Sequence, residues 1–223
     1  KFTAQAMTGV QRVGHELLLA LDRLLAGAGS GGRAWVLLCP PQARPPRLER
    51  IEVRRSGAHA LALHLWEQAI LPLEARSGLL LNLAGTGPWL VRRQAVLLHD
   101  AAVFDQPQAH TPAFVRWYRS LFARQARSAR PLCVVSQFSR DRLAERLHWP
   151  AERWQVVHPG ADHLDRVRSD PHVLDRLGLG HRPFFLAVGS ANPGKNLPAL
   201  LQAYAALPVP RPALVLVGGG NAR

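Results

Sequence analysis

The spacing of apolar residues predicts alternating helices and strands from the start of the chain. Between residues 10 and 25 apolar side chains recur every three or four positions, which is the spacing of one helix face, and the glycine-rich stretch 27–32 ends this helix. The unbroken apolar run 34–39 has the length of a buried strand, and the segment 40–50, rich in proline and arginine, predicts a loop. A helix followed by a buried strand indicates a parallel sheet.

The same alternation continues as far as residue 157. Short apolar strands are predicted at 79–82, 95–98, 133–136 and 154–157, with a turn-rich segment at 84–88 between the first two. Thr111 followed by Pro112 predicts a helix start, because threonine can cap the first turn and proline there loses no needed hydrogen bond. A further helix is predicted at 139–147.

A second unit of strand, helix and strand follows the polar segment 161–182. Its strands are predicted at 184–188 and 214–217, with a helix capped by Asn196 between them. We therefore predict an α/β fold with a Rossmann-like N-terminal domain at 1–160, a linker at 161–182 and the first part of a second Rossmann-like domain at 183–223. Residues 1–8 are not a convincing apolar run, so we expect the first strand of the N-terminal domain to be missing.

The positive charge of the chain excludes few classes of binding partner. The net charge is +13, and most of it comes from arginines scattered without a long run. This favours nucleic acid, acidic lipid or phosphorylated substrates, but it also fits the composition of a GC-rich genome. No nucleic-acid module is recognisable, so we do not expect nucleic acid as the partner. The apolar runs are too short for a membrane span and no signal peptide opens the chain, which favours a cytoplasmic protein.

Two sites in the predicted N-terminal domain could carry chemistry. Gly9 begins the first helix, where free N–H groups and the helix dipole favour an anion, although this segment alone favours a plain turn glycine before a helix. His99 and Asp100 follow the strand 95–98, at the edge where open α/β sheets bind ligands. Asp100 could fix the tautomer of the His99 imidazole, or the pair could simply cap the next loop. Cys39 and Cys133 lie in apolar runs and are predicted to be strand thiols.

The equivalent loop of the second unit contains Gly189, Lys195 and Asn196. Lys195 directly precedes a predicted helix, which is a suitable place for a positive charge on a phosphate. The segment is not a P-loop, because Asn196 occupies the position that requires serine or threonine. Residues 218–220 end the next strand and fit either a ligand-facing loop or a turn.

Seven segments occur together in the order seen in the glycosyltransferase family 4 enzymes. They are residues 8–12 (TGVQR), 66–68 (WEQ), 82–88 (NLAGTGP), 99–100 (HD), 135–139 (VSQFS), 157–160 (VHPG) and 188–196 (VGSANPGKN). The chain most closely resembles the bacterial, mannosyltransferase-like members, which make polysaccharides.

This resemblance implies a GT-B fold, in which two Rossmann-like domains face a cleft. It also implies transfer of a hexose, with mannose as one candidate, from a nucleotide sugar such as GDP-mannose to a glycan or lipid-linked acceptor, with retention of configuration. No metal or other cofactor is implied, because basic side chains and a helix N-terminus stabilise the leaving diphosphate. The basic surface would then contact an acidic acceptor or, peripherally, the anionic cytoplasmic membrane.

The resemblance also implies roles for individual residues. His99 and Asp100 would be catalytic; Gly9, Val10, Arg12, Gly85 and Thr86 would bind substrate; and Gly189, Lys195 and Asn196 would bind the donor phosphates, with no metal ligand among them.

Two departures from the family pattern favour an alternative. Ser190 and Gly194 stand where members usually place an arginine near the lysine, and the glutamate pair that holds the donor would lie beyond Arg223. The alternative is a non-catalytic fragment or degenerate binding module of the same fold. On either interpretation we expect a chain truncated at both ends and inactive by itself.

Overall fold

The computed structural model describes residues 1–59 and 61–218 of the chain. The chain divides into two compact units, Lys1–His163 and Leu164–Arg223. The division lies inside the segment 161–182, and the predicted domain boundaries stay predictions. Of the predicted glycine loop 218–220, residues 219 and 220 lie outside the described residues.

The strands of the first unit form two parallel sheets. The smaller sheet pairs β1 (Val36–Cys39) with β2 (Glu52–Arg55). The larger sheet has the order β3 (Leu80–Asn82), β4 (Gln94–Leu98), β5 (Leu132–Val134) and β6 (Trp154–Val156). All neighbours in both sheets are parallel, which confirms the predicted α/β class with parallel sheets.

The helices of the first unit are α1 (Gly9–Ala28), α2 (Leu63–Leu65), α3 (Leu71–Glu74), α4 (Ala102–Asp105), α5 (Pro112–Ser128) and α6 (Gln137–Leu147). A π-helical stretch, Trp66–Ile70, joins α2 to α3. The start of α5 is confirmed, since the Thr111 hydroxyl accepts a hydrogen bond from the Phe114 N–H. The start of α6 differs from the prediction: Ser136 caps it, so β5 ends at Val134 and the strand predicted to reach residue 136 is shorter.

The main core of the first unit lies where α5 and α6 pack on the larger sheet. Leu98, Val134 and Leu143 have no exposed surface, and every residue of β4 is buried, as expected for an inner strand covered on both faces. Cys39 lies buried in β1 and Cys133 half-buried in β5, and both are free thiols. No described helix combines the length and the apolarity that crossing a bilayer requires.

A buried carboxylate connects α1 to the smaller sheet. The Asp22 carboxylate accepts hydrogen bonds from the N–H groups of Glu49, Arg50 and Ile51 at 2.8, 2.9 and 3.0 Å. These bonds position the chain just before β2, whose side chains are all exposed and whose sequence has no apolar pattern. The strand β2 was therefore not predicted, since a contact from a distant helix residue locates it.

The second unit contains the predicted strand, helix and strand. They are β7 (Phe184–Val188), α8 (Leu197–Ala205) and β8 (Ala213–Val217), with β7 and β8 parallel, and a short helix α7 (Val173–Arg176) precedes them. The predicted cap is wrong in detail. Asn196 precedes α8 with a left-handed backbone, at φ 47°, and its side chain makes no capping hydrogen bond. Asn192 instead accepts from the Gly194 N–H at the preceding turn.

The role of Asp22 can be tested by replacing it with asparagine. Burial opposes the charged form, but the three backbone donors together with Arg50 outweigh it and lower the pKa of the Asp22 carboxyl. Since the folded-state pKa is the lower one, this stabilisation is complete above the unfolded-state pKa of about 3.9 and is lost as the pH falls through the folded-state value. We expect Asp22→Asn to lower the free energy of unfolding by about 1–3 kcal/mol at neutral pH.

Urea unfolding at neutral pH and at an acidic pH measures both effects. The difference between the wild type and Asp22→Asn should shrink in acid, whereas the exposed-site control Glu152→Gln should change little at either pH. A difference that stays constant with pH would contradict the assignment.

Candidate active site

His99 lies at the carboxyl end of β4, next to the loop that follows β3. We call this loop, residues 83–89, the Gly85 loop. The Nε2 atom of His99 lies 3.2 Å from the Leu83 carbonyl oxygen and donates a hydrogen bond to it when Nε2 carries the proton. The backbone carbonyl of His99 accepts a hydrogen bond from the Ser139 hydroxyl at 3.0 Å. Both the ring and the backbone of His99 are therefore anchored at this edge of the sheet.

The environment of His99 favours a neutral imidazole. Burial lowers the pKa of His99, and the Leu83 hydrogen bond and the charge of Asp100 oppose this effect without cancelling it. A neutral imidazole has one donor and one acceptor nitrogen. With Nε2 bonded to Leu83, Nδ1 is left as the acceptor, so the ring could receive a hydrogen bond from a substrate hydroxyl.

Asp100 is exposed, and its carboxylate accepts a hydrogen bond from the Ala102 N–H at 2.9 Å. This contact caps the turn that leads into α4. Of the two roles that the sequence left open for Asp100, the structure has the contact to the following turn, and the hydrogen-bond partner of the His99 ring is the Leu83 carbonyl. Asp100 acts on the imidazole through its charge.

The Gly85 loop covers one side of the imidazole. Gly85 has a φ of 86°, which glycine adopts without strain, and a Cβ placed there would lie 3.7 Å from Cδ2 of His99. The Gly85 N–H donates to the Leu97 carbonyl at 3.1 Å. Thr86 is buried, and its hydroxyl donates to the Glu67 carboxylate at 2.8 Å. Gly85 thus lies beside the ring, whereas the Thr86 side chain faces the protein interior.

The first helix reaches the same place one turn after its start. Gly14 of α1 is buried, and a Cβ there would lie 3.5 Å from the Leu83 carbonyl oxygen that also binds His99. Of the predicted substrate-binding residues on this helix, Gly9 and Arg12 are exposed and Val10 is half-buried. Nothing lies within 4 Å of a Cβ built at Gly9, so the space beside this exposed residue is unfilled.

The predicted phosphate-binding residues belong to the second unit. Gly189 and Lys195 line a pocket of about 170 Å³ between the carboxyl ends of β7 and β8 and the start of α8. Asn196 does not line this pocket. The backbone N–H groups of Gly194, Lys195 and Asn196 donate to Asn192 and Pro193 within the turn. The Lys195 ammonium is therefore the group in this turn that is suited to an anion.

Three polar residues near the Gly85 loop were not assigned a role from the sequence. Glu67 and Gln68 lie in the π-helical stretch, and Gln94 begins β4; Glu67 and Gln94 are 3% and 1% exposed. The sequence contained one signal that could have identified Glu67, because it is a charged residue within the mostly apolar segment 63–71. Within residues 1–59 and 61–218, His, Cys, Asp and Glu side chains form no group of three that could hold a metal ion.

The lowered pKa of His99 gives a direct test of this geometry. Because the Asp100 charge raises the pKa, Asp100→Asn should lower the His99 pKa further, while the asparagine oxygen can still accept from the Ala102 N–H. NMR titration of the imidazole, assigned with His99→Gln, measures the change. Asp141→Asn, an exposed charge removal on α6, is the control. A rise or no change in Asp100→Asn would contradict the arrangement.

The chain is similar in sequence to a known mannosyltransferase. Over 125 residues, 55% of this chain, the sequence is 29% identical to the O-antigen chain mannosyltransferase B of Escherichia coli. The match covers 33% of that protein, so the chain spans about a third of its relative's length. No protein-family model matches the chain. The similarity to a mannosyltransferase, with parallel α/β sheets, supports a Rossmann-like glycosyltransferase in general terms.

Proposed function

We propose that this chain is part of a retaining glycosyltransferase of the GT-B type. The enzyme transfers a hexose, with mannose as the first candidate, from a nucleotide sugar such as GDP-mannose to a glycan or lipid-linked acceptor. The first unit provides the acceptor side, and the second unit begins the donor side. The observation that carries the proposal is the anchored His99 at the carboxyl edge of the sheet, in a chain similar to a mannosyltransferase.

His99 is proposed to contact the sugar that is transferred. Its ring is held by the Leu83 carbonyl and lies against Gly85, so it has one orientation before substrate arrives. Because its pKa is lowered, the imidazole accepts a hydrogen bond at Nδ1 near neutral pH without bringing a positive charge next to the developing oxocarbenium-like sugar. Asp100 keeps this pKa from falling further. The amino end of α1, with Gly9, Val10 and Arg12, completes the substrate side.

Lys195 is proposed to neutralise the leaving diphosphate. Lysine is rare in this chain, where Lys1 and Lys195 are the two lysines among 28 basic residues. Since arginine supplies positive charge almost everywhere else, a lysine at the pocket edge is the exception. A compact ammonium on a flexible stem suits a phosphate that must be bound and then released. Gly189 lies beside it, since a Cβ built there would be in ordinary van der Waals contact with Cγ of Lys195, at 3.8 Å.

A second candidate is a binding module that has the fold but does not catalyse transfer. Two features of the second unit favour this binding module. The N–H groups of residues 194–196 are used within the turn, and Ser190 and Gly194 stand where the family pattern has an arginine. Phosphate binding then depends on Lys195, because the Gly189 N–H is also used, in a hydrogen bond to the Val217 carbonyl. Detectable binding of a nucleotide sugar without transfer would identify this second function.

We also propose where the reaction takes place. The net charge of +13 favours an anionic acceptor or the anionic cytoplasmic face of the membrane, where a lipid-linked acceptor would be presented. The protein would be cytoplasmic and would contact that surface peripherally.

The proposal predicts that the protein, as its gene encodes it, transfers sugar from a nucleotide-sugar panel to a lipid-linked glycan acceptor. His99→Ala should lower kcat about a hundredfold, as expected when one donor or acceptor to the transition state is removed. His181→Ala, an exposed histidine of the second unit, is the control and should have the wild-type rate. NMR of the product gives the anomeric configuration. Undiminished transfer in His99→Ala would remove His99 from the site.

Lys195→Gln tests the donor side independently. Loss of a charged hydrogen bond to phosphate should raise the KM for the nucleotide sugar by about ten- to a hundredfold, while the acceptor KM changes little. Lys195→Arg keeps the charge and should lie between the wild type and Lys195→Gln. Equal donor KM values in all three proteins would exclude a role of Lys195 in phosphate binding.

A further inference from the structure

A network of polar side chains, most of them buried, holds the Gly85 loop in place. Four side chains bind four consecutive positions of the loop: Glu67 accepts from the Thr86 hydroxyl (2.8 Å), Gln125 donates to the Gly87 carbonyl (2.9 Å), Gln94 donates to the Pro88 carbonyl (3.0 Å) and Gln68 accepts from the Trp89 N–H (2.8 Å). These side chains come from the π-helical stretch, β4 and α5. Three separate elements therefore fix the shape of one loop.

Glu67 is the charged member of this network. Its carboxylate is almost completely buried and forms an ion pair with the Lys1 ammonium at 3.0 Å. The same ammonium donates to the Thr86 hydroxyl at 3.0 Å, so Lys1, Glu67 and Thr86 form a closed triangle of contacts. Removing two charges from water is costly, and an apolar replacement of a buried ion pair is often neutral or stabilising. Stability alone is therefore a weak reason for a carboxylate at this position.

The opposite side of the Gly85 loop touches His99. The Leu83 carbonyl binds the imidazole, and Gly85 lies beside the ring. Thr86, which Glu67 holds, follows Gly85 directly in the chain. A displacement of Thr86 therefore moves the residue that contacts His99.

We propose that Glu67 is a positioning residue, which through Thr86 holds the Gly85 loop against His99. The inference rests on the proposed function for its catalytic consequence, because that consequence depends on the role of His99. Its structural half, the coupling between Glu67 and the imidazole, is independent of the reaction. Glu67 does not itself contact the reacting atoms.

Glu67 and Thr86 can be separated from general stability by matched variants. Thr86→Val keeps the size of the side chain and removes the hydroxyl. Glu67→Gln keeps an oxygen that can accept from Thr86 but loses the charge that pairs with Lys1, and Glu67→Leu loses both. Glu74→Gln, an exposed carboxylate at the end of the same helical segment, is the control. Melting temperatures show which variants are folded.

The first measurement is the titration of His99 by NMR, which requires no activity. Burial is the main cause of the low His99 pKa, and Asp100 is the charge that acts on the ring. A loosened Gly85 loop admits water to the imidazole, so we expect the His99 pKa to rise toward its ordinary value in Thr86→Val and in Glu67→Leu. We expect a smaller rise in Glu67→Gln and none in Glu74→Gln.

The second measurement is the kinetics of sugar transfer in the protein as its gene encodes it. Misplacement of His99 should lower kcat by about ten- to a hundredfold in Thr86→Val, with the donor KM close to the wild-type value. Glu67→Gln should keep more of the rate than Glu67→Leu, which is rescue by the conservative replacement.

The two measurements distinguish the failure of each proposal. If the wild type transfers no sugar, the proposed function fails, and the NMR titration still decides the coupling of Glu67 to His99. If folded Thr86→Val and Glu67→Leu have the wild-type His99 pKa, the positioning role is overturned. If the pKa changes but kcat in an active enzyme does not, the catalytic consequence is overturned.

Discussion

The carbonyl oxygen of Leu83 is the meeting point of the first unit. The His99 imidazole lies 3.2 Å from it, and Gly14 of α1 approaches it closely enough for a Cβ to lie 3.5 Å away. The parallel pairing of β3 with β4 causes this arrangement, because it brings the residues after both strands to one edge of the sheet. One acceptor therefore connects the first helix, the Gly85 loop and the candidate catalytic side chain.

The position of that carbonyl depends on polar groups that are costly to bury. Gln94 and Gln125 have almost no exposed surface, and each donates a hydrogen bond to a loop carbonyl. A buried amide without such a partner would destabilise the fold, so each one accepts only a narrow range of loop positions. Gly87 shows how tight the packing is, because a Cβ there would collide with the side chains of Asn82 and Gln94. The loop is thus held by hydrogen bonds from buried polar side chains as well as by close packing.

The elements that were predicted correctly from the sequence depend on residues close together in the chain. Apolar runs located β4 and β7, and Thr111 located the start of α5, since these signals act within a few positions. The strand β2 was missed because its side chains are exposed and because Asp22 positions the residues just before it, which lie 27 to 29 positions away from Asp22. The residues of the candidate site likewise divide into those that a local sequence pattern identifies and those that it does not. His99 was found because it directly follows a strand.

The network around Glu67 could not be predicted from local patterns. The hydrogen bond from Thr86 to Glu67 joins residues 19 apart, and that from Gln125 to Gly87 joins residues 38 apart. No periodicity in the chain specifies such pairs, because they depend on how helices pack against the sheet. Asn196 illustrates the same limit on a smaller scale. Its residue type fits a helix cap, but its left-handed backbone directs the chain into α8 while Asn192 makes the capping contact.

In the second unit, close contact between backbone atoms holds the strand ends together, rather than hydrogen bonds of side chains. A Cβ at Gly218 would overlap the Gly189 carbonyl, so the ends of β7 and β8 come together because residue 218 is a glycine. The Gly189 N–H is bound to the Val217 carbonyl at 2.8 Å, which fixes the spacing of the two strand ends. The pocket beside Lys195 is the space that remains between these ends and α8. Its shape is therefore set by the backbone, and its charge by Lys195. A side chain at Gly189, whose Cβ would lie 3.8 Å from Cγ of Lys195, would narrow the pocket without altering that charge, so shape and charge can be varied independently at this position.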